Sequence, residues 1–183
     1  MRLEDVGLGA VRLVHLDVAE DERGSFWRTF DGLALEASGL TGPAVQTSIS
    51  RNTRAGTLRG LHFQRGEHAE NKLVRCSRGA LVDVVADILP GSPTYGLWRA
   101  FPLDESTPIA VLVPAGFAHG FMTLAGDTEV SYVMDTAYSP ADVGGVRYDD
   151  PTLAVTWPGP PAVISSQDLA LPLLDPEGLH ASR

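Results

Sequence analysis

The chain reads as an all-β protein, a jelly-roll sandwich or barrel with a few short helices, and three observations predict this. Short apolar runs with two-residue alternation recur along the 183 residues, 19 glycines and 13 prolines punctuate them, and helical periodicity is nearly absent. Many short strands separated by turn signals are the pattern of antiparallel double-sheet folds. The length suits a single domain, 1–183, with its core over about 11–174. Residues 175–183 follow with Pro, Gly and charges and read as a loose tail.

Taken in order, the first predicted strand covers residues 11–18, and Arg23-Gly24 supplies the turn after it. Phe30, Leu33, Leu35 and Ala37 give weak helical spacing, which predicts one short helix over 30–38. Strands follow at 45–50, 72–78, 81–88, 110–113 and 130–135, and 58–64 is also of β type. Turns fall at Arg78-Gly79, Pro90-Gly91-Ser92-Pro93 and Ala125-Gly126-Asp127. No internal repeat, low-complexity segment or domain linker interrupts this series.

Fourteen basic residues against 23 acidic ones give a formal net charge of −9. That balance argues against nucleic acid or an anionic membrane as partner, since both need basic surfaces. A small anionic ligand needs only a local arginine cluster and stays open. Cys76 is the sole cysteine, so no internal disulfide forms, and a reducing, cytoplasmic setting is expected. Alternation along Lys72-Leu73-Val74-Arg75-Cys76 makes that cysteine a small core residue. The start, Met1-Arg2-Leu3-Glu4-Asp5, lacks the pattern of a signal peptide, and no apolar run approaches the ~20 residues of a membrane span.

The chemistry lies in side chains placed on these strands. His62, in Leu58-Arg59-Gly60-Leu61-His62-Phe63-Gln64, is a candidate general base, because an imidazole titrates near neutrality. The alternative is a buried histidine satisfied by a backbone carbonyl. Lys72 alternates with Val74 and Cys76, so an inward ammonium is expected, able to stabilise a developing enolate oxygen; a strand-end lysine reaching solvent is the alternative. Tyr132 alternates with Val130 and Met134 and also faces inward, as a proton donor or as a core tyrosine. Arg23 and Arg59 are candidate pyrophosphate clamps or solvated turn residues. Tyr138 is a candidate base-stacking ring or a packing residue, and Asp168 by itself passes for a helix cap or turn residue.

His119 lies in Pro114-x-Gly116-x-x-His119, which resembles the second motif of the cupin superfamily. Metal-binding cupins add a His-x-His pair from a first motif, but here that motif is His62-Phe63-Gln64, and His68 lies four residues past Gln64. Two histidines make a poor site for zinc or non-haem iron, so a metal-free site is expected.

Taken together, the segments resemble the dTDP-4-dehydrorhamnose 3,5-epimerases, deoxysugar epimerases of the cupin superfamily. The resemblance runs from about 11 to 174. It rests on Asp21-Glu22-Arg23-Gly24-Ser25-Phe26, Gly56-Thr57-Leu58-Arg59-Gly60-Leu61-His62 and Lys72-Leu73-Val74. It continues with Gly91-Ser92-Pro93-Thr94-Tyr95-Gly96, Gly116-Phe117-Ala118-His119-Gly120-Phe121, Asp149-Asp150-Pro151 and Trp157-Pro158. The resemblance implies a cupin-type jelly roll without a cofactor that acts on a nucleotide-linked sugar such as dTDP-4-keto-6-deoxyglucose. It implies that His62, oriented by Asp168, removes the proton α to the C4 ketone, that Lys72 stabilises the enolate and that Tyr132 reprotonates the opposite face. It further implies that His119 and Tyr138 line the substrate pocket, that Arg59 and Gln46 hold the nucleotide diphosphate, and that the Ser48 position lies among the nucleotide and sugar contacts. The family's homodimer exchanges its N-terminal strand, so Arg23 and Phe26 would complete the neighbouring subunit's site.

The chain departs from the family pattern in four places. Arg28 stands where a glutamate is usual, and Ser48 lies in Gln46-Thr47-Ser48-Ile49-Ser50 where Gln-x-Asn-x-Ser is usual. Val143 replaces a glutamate, and Leu89 a frequent arginine. The catalytic set is intact, so the reaction type is better fixed than the substrate. Other readings remain: a C3- or C5-monoepimerase or ketoisomerase of a secondary-metabolite pathway, a metal-dependent cupin oxygenase using His62 and His119, or a non-catalytic nucleotide-sugar-binding cupin.

Overall fold

The computed structural model describes residues 1–36 and 43–174. Its strands, in chain order, begin with β1 (Arg2–Asp5), β2 (Arg12–His15), β3 (Val18–Asp21), β4 (Gly24–Trp27), β5 (Gln46–Asn52), β6 (Leu58–Gln64) and β7 (Lys72–Arg78). They continue with β8 (Ala80–Asp87), β9 (Trp98–Asp104), β10 (Ile109–Val113), β11 (Phe117–Thr123), β12 (Thr128–Met134) and β13 (Val143–Gly145). Two short helices, α1 (Gly32–Glu36) and α2 (Ser166–Leu169), and a 3-10 turn at Gly66–His68 complete the described elements.

The strands form a β-sandwich. One sheet has six strands in the order β1-β2-β10-β7-β12-β5, the other five in the order β13-β6-β11-β8-β9, and β3–β4 is a separate hairpin. Among the described residues neither sheet closes on itself, so the barrel alternative gives way to an open double sheet.

Side-chain alternation decides what fills the space between the sheets. Val74, Cys76, Val111, Val113 and Val130 from the six-stranded sheet meet Leu81, Val85, Phe101, Leu103, Phe117 and Phe121 from the other. Each such side chain contributes ~1.5–3 kcal/mol by leaving water. The outer faces are covered as well. Trp27, Phe30 and Leu35 pack on Val14, Leu73, Ala110 and Leu112, while Leu153, Val155, Trp157 and Leu174 pack on Leu61, Phe63, Val84 and Ala86. The outer cover formed by the C-terminal segment is tied down by Asp150, which accepts from Leu153 N and Leu174 N.

Strands predicted at 45–50, 72–78, 81–88, 110–113 and 130–135 are present, their ends displaced by no more than two residues. The strand predicted over 11–18 is divided. β2 stops at His15, Leu16 N donates to Pro108 O, and the chain then leaves the sheet to build the β3–β4 hairpin. Gly24, at φ +123°, supplies the turn there. The helix predicted over 30–38 is α1, whose predicted last residues, like the tail at 175–183, lie outside the described residues. β9 escaped prediction because Pro102 interrupts its pattern. It runs along the sheet edge, where a missing N–H is tolerated. Cys76 is buried, and burial pushes its thiol up to about 11, so it is an unreactive core residue. No helix among the described residues is long and apolar enough to cross a membrane.

Candidate active site

At one end of the sandwich the apolar filling gives way to polar side chains from both sheets. His62 on β6 and His119 on β11 are register partners on neighbouring strands, so both rings project from the same face of the five-stranded sheet. Lys72 opens β7, and Tyr132 on β12 pairs with Val74; both continue the inward rows of Val74–Cys76 and Val130. Pairing between β6 and β11 shifts register between His119 and Phe121, where Phe121 pairs with Arg59. That irregularity lets Arg59 and His62, three residues apart, reach one cavity. Gly60 and Gly120 permit it: a Cβ on Gly60 would stand 2.6 Å from Gly120 Cα.

His62 and Asp168 form the central pair. His62 Nε2 lies 2.8 Å from Asp168 Oδ1, and Gly60 N donates to Asp168 Oδ2 at 3.2 Å. Ser165 caps α2 by accepting from Asp168 N, which fixes the carboxylate from behind. The His62 side chain is 40% exposed and that of Asp168 only 8%, so the ring faces the cavity and the carboxylate sits behind it. Burial pushes the Asp168 carboxyl up. The hydrogen bond and charge of His62, with Gly60 N–H and Ser165, outweigh burial and hold it below the usual carboxylate range. With Nε2–H donated to Asp168, His62 keeps Nδ1 as its basic nitrogen.

Two adjoining cavities meet at this pair. The outer one, of ≈ 380 Å³, takes His62, Lys72, Glu70, Asp168, Arg59 and Tyr138 into its wall, together with Val143, Ser165 and Gln167. The inner one, of ≈ 250 Å³, is lined by His62, Lys72, Arg59, Ser50, His119 and Tyr132. Burial, reinforced by the charge of Asp83 and opposed by Arg59, pushes the Tyr132 phenol far above its ordinary range, so it carries its proton throughout the physiological range. The Tyr132 ring stands edge-on to His119, with centroids 6.2 Å apart and planes at 81°. His119 Nε2 lies 2.7 Å from Asp83 Oδ1, giving a second histidine–carboxylate pair. Asp83 Oδ2 is buried without a hydrogen-bond partner among the described residues.

His62, Lys72, Asp168, Tyr132, Arg59, His119 and Tyr138 thus converge on the paired cavities. Gln46 and Ser48 are on edge strand β5, opposite Met134 and Tyr132 and outside both cavity walls; Gln46 Oε1 accepts from Tyr138 N at 2.8 Å. Arg23 and Phe26 stand apart on the hairpin, where they line an open concavity of ≈ 500 Å³. That concavity is larger than either polar cavity, yet its walls come from exposed hairpin residues, and Phe26 is 70% exposed. Of the departures, Val143 lines the outer cavity, Arg28 pairs with Asp31 at 2.8 Å, and Leu89 packs against Gly116.

Glu70, Gln64 and Asp83 were missed from sequence. Lys72 Nζ lies 2.9 Å from Glu70 Oε1, so the predicted inward ammonium has a partner. Gln64 bonds Glu70, His68 O, Ala137 O and Ser139 N. Its amide therefore ties backbone together at the position where metal cupins have a second histidine. Spacing carried the missed signal: Glu70 is two residues from Lys72, Gln64 two from His62, and Asp83 is an acid within an apolar strand. Among the described residues, no group of three or more His, Cys, Asp or Glu is arranged to hold a metal ion.

A family model described as dTDP-4-dehydrorhamnose 3,5-epimerase matches residues 5–176. The chain belongs to the dTDP-4-dehydrorhamnose 3,5-epimerase family. A dTDP-4-dehydrorhamnose 3,5-epimerase of Sinorhizobium fredii is 39% identical over 175 residues, covering 95% of this chain and 90% of the relative. A dTDP-6-deoxy-D-glucose-3,5-epimerase of Legionella pneumophila, solved with dTDP-4-keto-L-rhamnose, superposes with a TM-score of 0.90 at 33% identity. That match covers 100% of this chain and 98% of the other. A 3'-monoepimerase of Streptomyces bikiniensis, solved with dTDP-quinovose, superposes with a TM-score of 0.84 at 30% identity, covering 92% and 86%. Epimerases of this family are isomerases, the reaction class expected from the site's acid and base.

Proposed function

We propose that the chain is a metal-independent epimerase of a dTDP-linked 4-keto-6-deoxyhexose, acting at C3, C5 or both. The observation that carries this reading is His62, held by Asp168 at 2.8 Å, in the wall of a cavity that Lys72 and Tyr132 share. Inversion at a carbon α to a ketone needs a base on one face, an acid on the other and positive charge at the carbonyl oxygen.

On this reading the roles are assigned as follows. His62 Nδ1 takes the α proton while Asp168 holds Nε2–H and stabilises the imidazolium. The electron pair of the broken C–H bond moves into the C4 carbonyl, and the Lys72 ammonium stabilises the enolate oxygen. Tyr132, a neutral phenol, gives its proton to the opposite face of the carbon as the carbonyl re-forms. Proton exchange with water returns His62 and Tyr132 to their starting states, so the net change is stereochemical. Arg59 binds the diphosphate, Gln46 and Ser48 flank the nucleotide, Tyr138 stacks on the base and His119 completes the sugar pocket.

The sandwich is further assigned as a cupin-type jelly roll that functions as a homodimer. Its β3–β4 hairpin reaches the partner, and Arg23 and Phe26 finish the neighbouring site. The exposed Phe26 ring and the hairpin's separation from both main sheets support that arrangement. A single-carbon epimerase is the second reading, favoured by likeness to the 3'-monoepimerase of Streptomyces bikiniensis.

The test is incubation with dTDP-4-keto-6-deoxyglucose in heavy water, with NMR location of the incorporated deuterium. Label at C3 and C5 is expected of the double epimerase, and label at one carbon supports the second reading. Absence of label at both, with the nucleotide sugar bound, refutes the proposal.

A further inference from the structure

Lys72 is the sole lysine of the chain; every other basic side chain that is not a histidine is an arginine. Its side chain and that of Glu70 are 13% and 10% exposed, and they form an ion pair of 2.9 Å within the outer cavity. The second carboxylate oxygen of Glu70 accepts from Gln64 Nε2 at 3.1 Å. Gln64 is itself buried and held by His68 O, Ala137 O and Ser139 N. A continuous chain of contacts therefore joins the strand of His62 to the ammonium of Lys72.

Burying an ammonium is costly unless a nearby anion replaces the lost hydration. The groups facing Lys72 are Arg59 and His62 from β6, Asp168 from α2, His119 from β11, Tyr132 from β12 and Glu70. The two other histidine-facing acids are already engaged: Asp168 by His62, and Asp83 by His119. Glu70 is thus the anion assigned to Lys72 by direct contact.

We propose that Glu70 is a positioning residue of the proton-transfer site: it is the counter-ion of Lys72, and through Gln64 it fixes the ammonium beside His62. The consequence for turnover rests on the epimerase reading; the engagement of Lys72 by Glu70 does not. A neutral Glu70–Lys72 pair competes weakly for a diphosphate, which leaves that group to Arg59, tied through Nε to the uncharged Asn52 at 2.9 Å. The ammonium remains available for an oxygen that becomes negative during reaction.

The absence of other lysines makes the test direct. Reductive methylation attacks only neutral amines, so here it reports Lys72 and the N-terminal amine, the latter an internal reference. Glu70→Gln keeps an oxygen for Gln64 but removes the charge. It is expected to raise the methylation rate of Lys72 relative to the N-terminus by ~10-fold or more, read by peptide mass spectrometry. Glu70→Asp, still anionic, is expected to stay near the wild-type rate. In steady-state assays Glu70→Gln is expected to lower kcat while KM for the nucleotide sugar stays nearly unchanged. Equal methylation of wild type and Glu70→Gln overturns the proposal, as does Glu70→Asp reacting as fast as Glu70→Gln. If Glu70→Gln does not fold, ¹⁵N-lysine-labelled wild type decides. A hydrogen-bonded, slowly exchanging ammonium signal supports the pair, and one averaged like free lysine overturns it. A wild type that incorporates no deuterium refutes the epimerase reading and leaves the labelling result standing.

Discussion

Replacing Asp168 by asparagine separates the shape of the His62 pair from its charge. The carboxylate accepts from two donors, His62 Nε2 at 2.8 Å and Gly60 N at 3.2 Å. Asparagine has one oxygen and one NH2 to offer, so whichever way it turns, one donor faces another donor. With its oxygen toward Gly60, the amide donates to His62 Nε2. The ring then carries its proton on Nδ1, and the base facing the cavity is lost. With the oxygen toward His62, the tautomer is correct and Gly60 N–H is left unpaired. An unmade bond of that kind costs ~1–3 kcal/mol, which alone makes the active arrangement about 5- to 150-fold rarer.

Loss of the negative charge that stabilises the imidazolium adds to this, and general-base assistance is worth ~10²–10⁴-fold. Deuterium wash-in by Asp168→Asn is therefore expected to fall ~10²–10⁴-fold with KM little changed. The Ser165 cap survives, because it accepts from the backbone N of residue 168. A fall in Tm of a few degrees is the expected structural cost, at about 2–4 °C per kcal/mol for a chain of this size. The charge also gives a pH signature. Asp168 is held below its ordinary value of 3.8 in the folded state, so its stabilisation is present above that value and lost as pH falls through the lower folded one. The stability gap between wild type and Asp168→Asn is expected to be constant near neutrality and to close on that acid side. A folded Asp168→Asn with wash-in within about threefold of wild type would refute the assignment of His62 as base.

Two further outcomes test the rest of the site. Tyr132→Phe removes the phenol proton and leaves His62 intact, so inverted product is expected to fall ~10²-fold or more while wash-in persists. Equal loss of both, measured by NMR on one sample, would remove Tyr132 from the acid role. For the proposed hairpin exchange, Arg23→Ala and His62→Ala proteins are each expected to be impaired, and a refolded mixture of the two to recover activity. In a mixed dimer one site has an intact His62 and an intact Arg23 from the other chain. No recovery above the sum of the separate proteins would rule out a shared site.

Much of this site was legible because its inward residues follow the simplest rule of a sandwich. Lys72 alternates with Val74 and Cys76, Tyr132 with Val130, and all of them line the space between the sheets. His62 and Arg59 were harder. Three residues apart, they belong on opposite faces of a regular strand, yet where the register shifts against β11 both line one cavity. Asp168 carried no local signal beyond capping. Its meaning depends on α2 packing behind β6, a contact between residues 106 positions apart. Glu70 was overlooked because a charged residue just ahead of a strand ordinarily reads as solvated, whereas Gln64 and Lys72 together enclose it.

Charge pairing explains how these groups share one small space. His62 is matched by Asp168, His119 by Asp83 and Lys72 by Glu70, with each acid on a different element from its histidine or just outside the strand of its lysine. The ion pair with Glu70 offsets part of the cost of burying the Lys72 ammonium, and each histidine ring is held by a carboxylate acceptor. Arg59 breaks the pattern, since its Nε donates to the neutral side chain of Asn52. Bidentate phosphate binding favours such a guanidinium over one already neutralised by a carboxylate. On the proposed epimerase reading, the diphosphate would go to Arg59 and the uncharged ketone to the region lined by His62, Lys72 and Tyr132. The Lys72 ammonium, already paired with Glu70, would then be left for the enolate oxygen rather than the substrate's own anion.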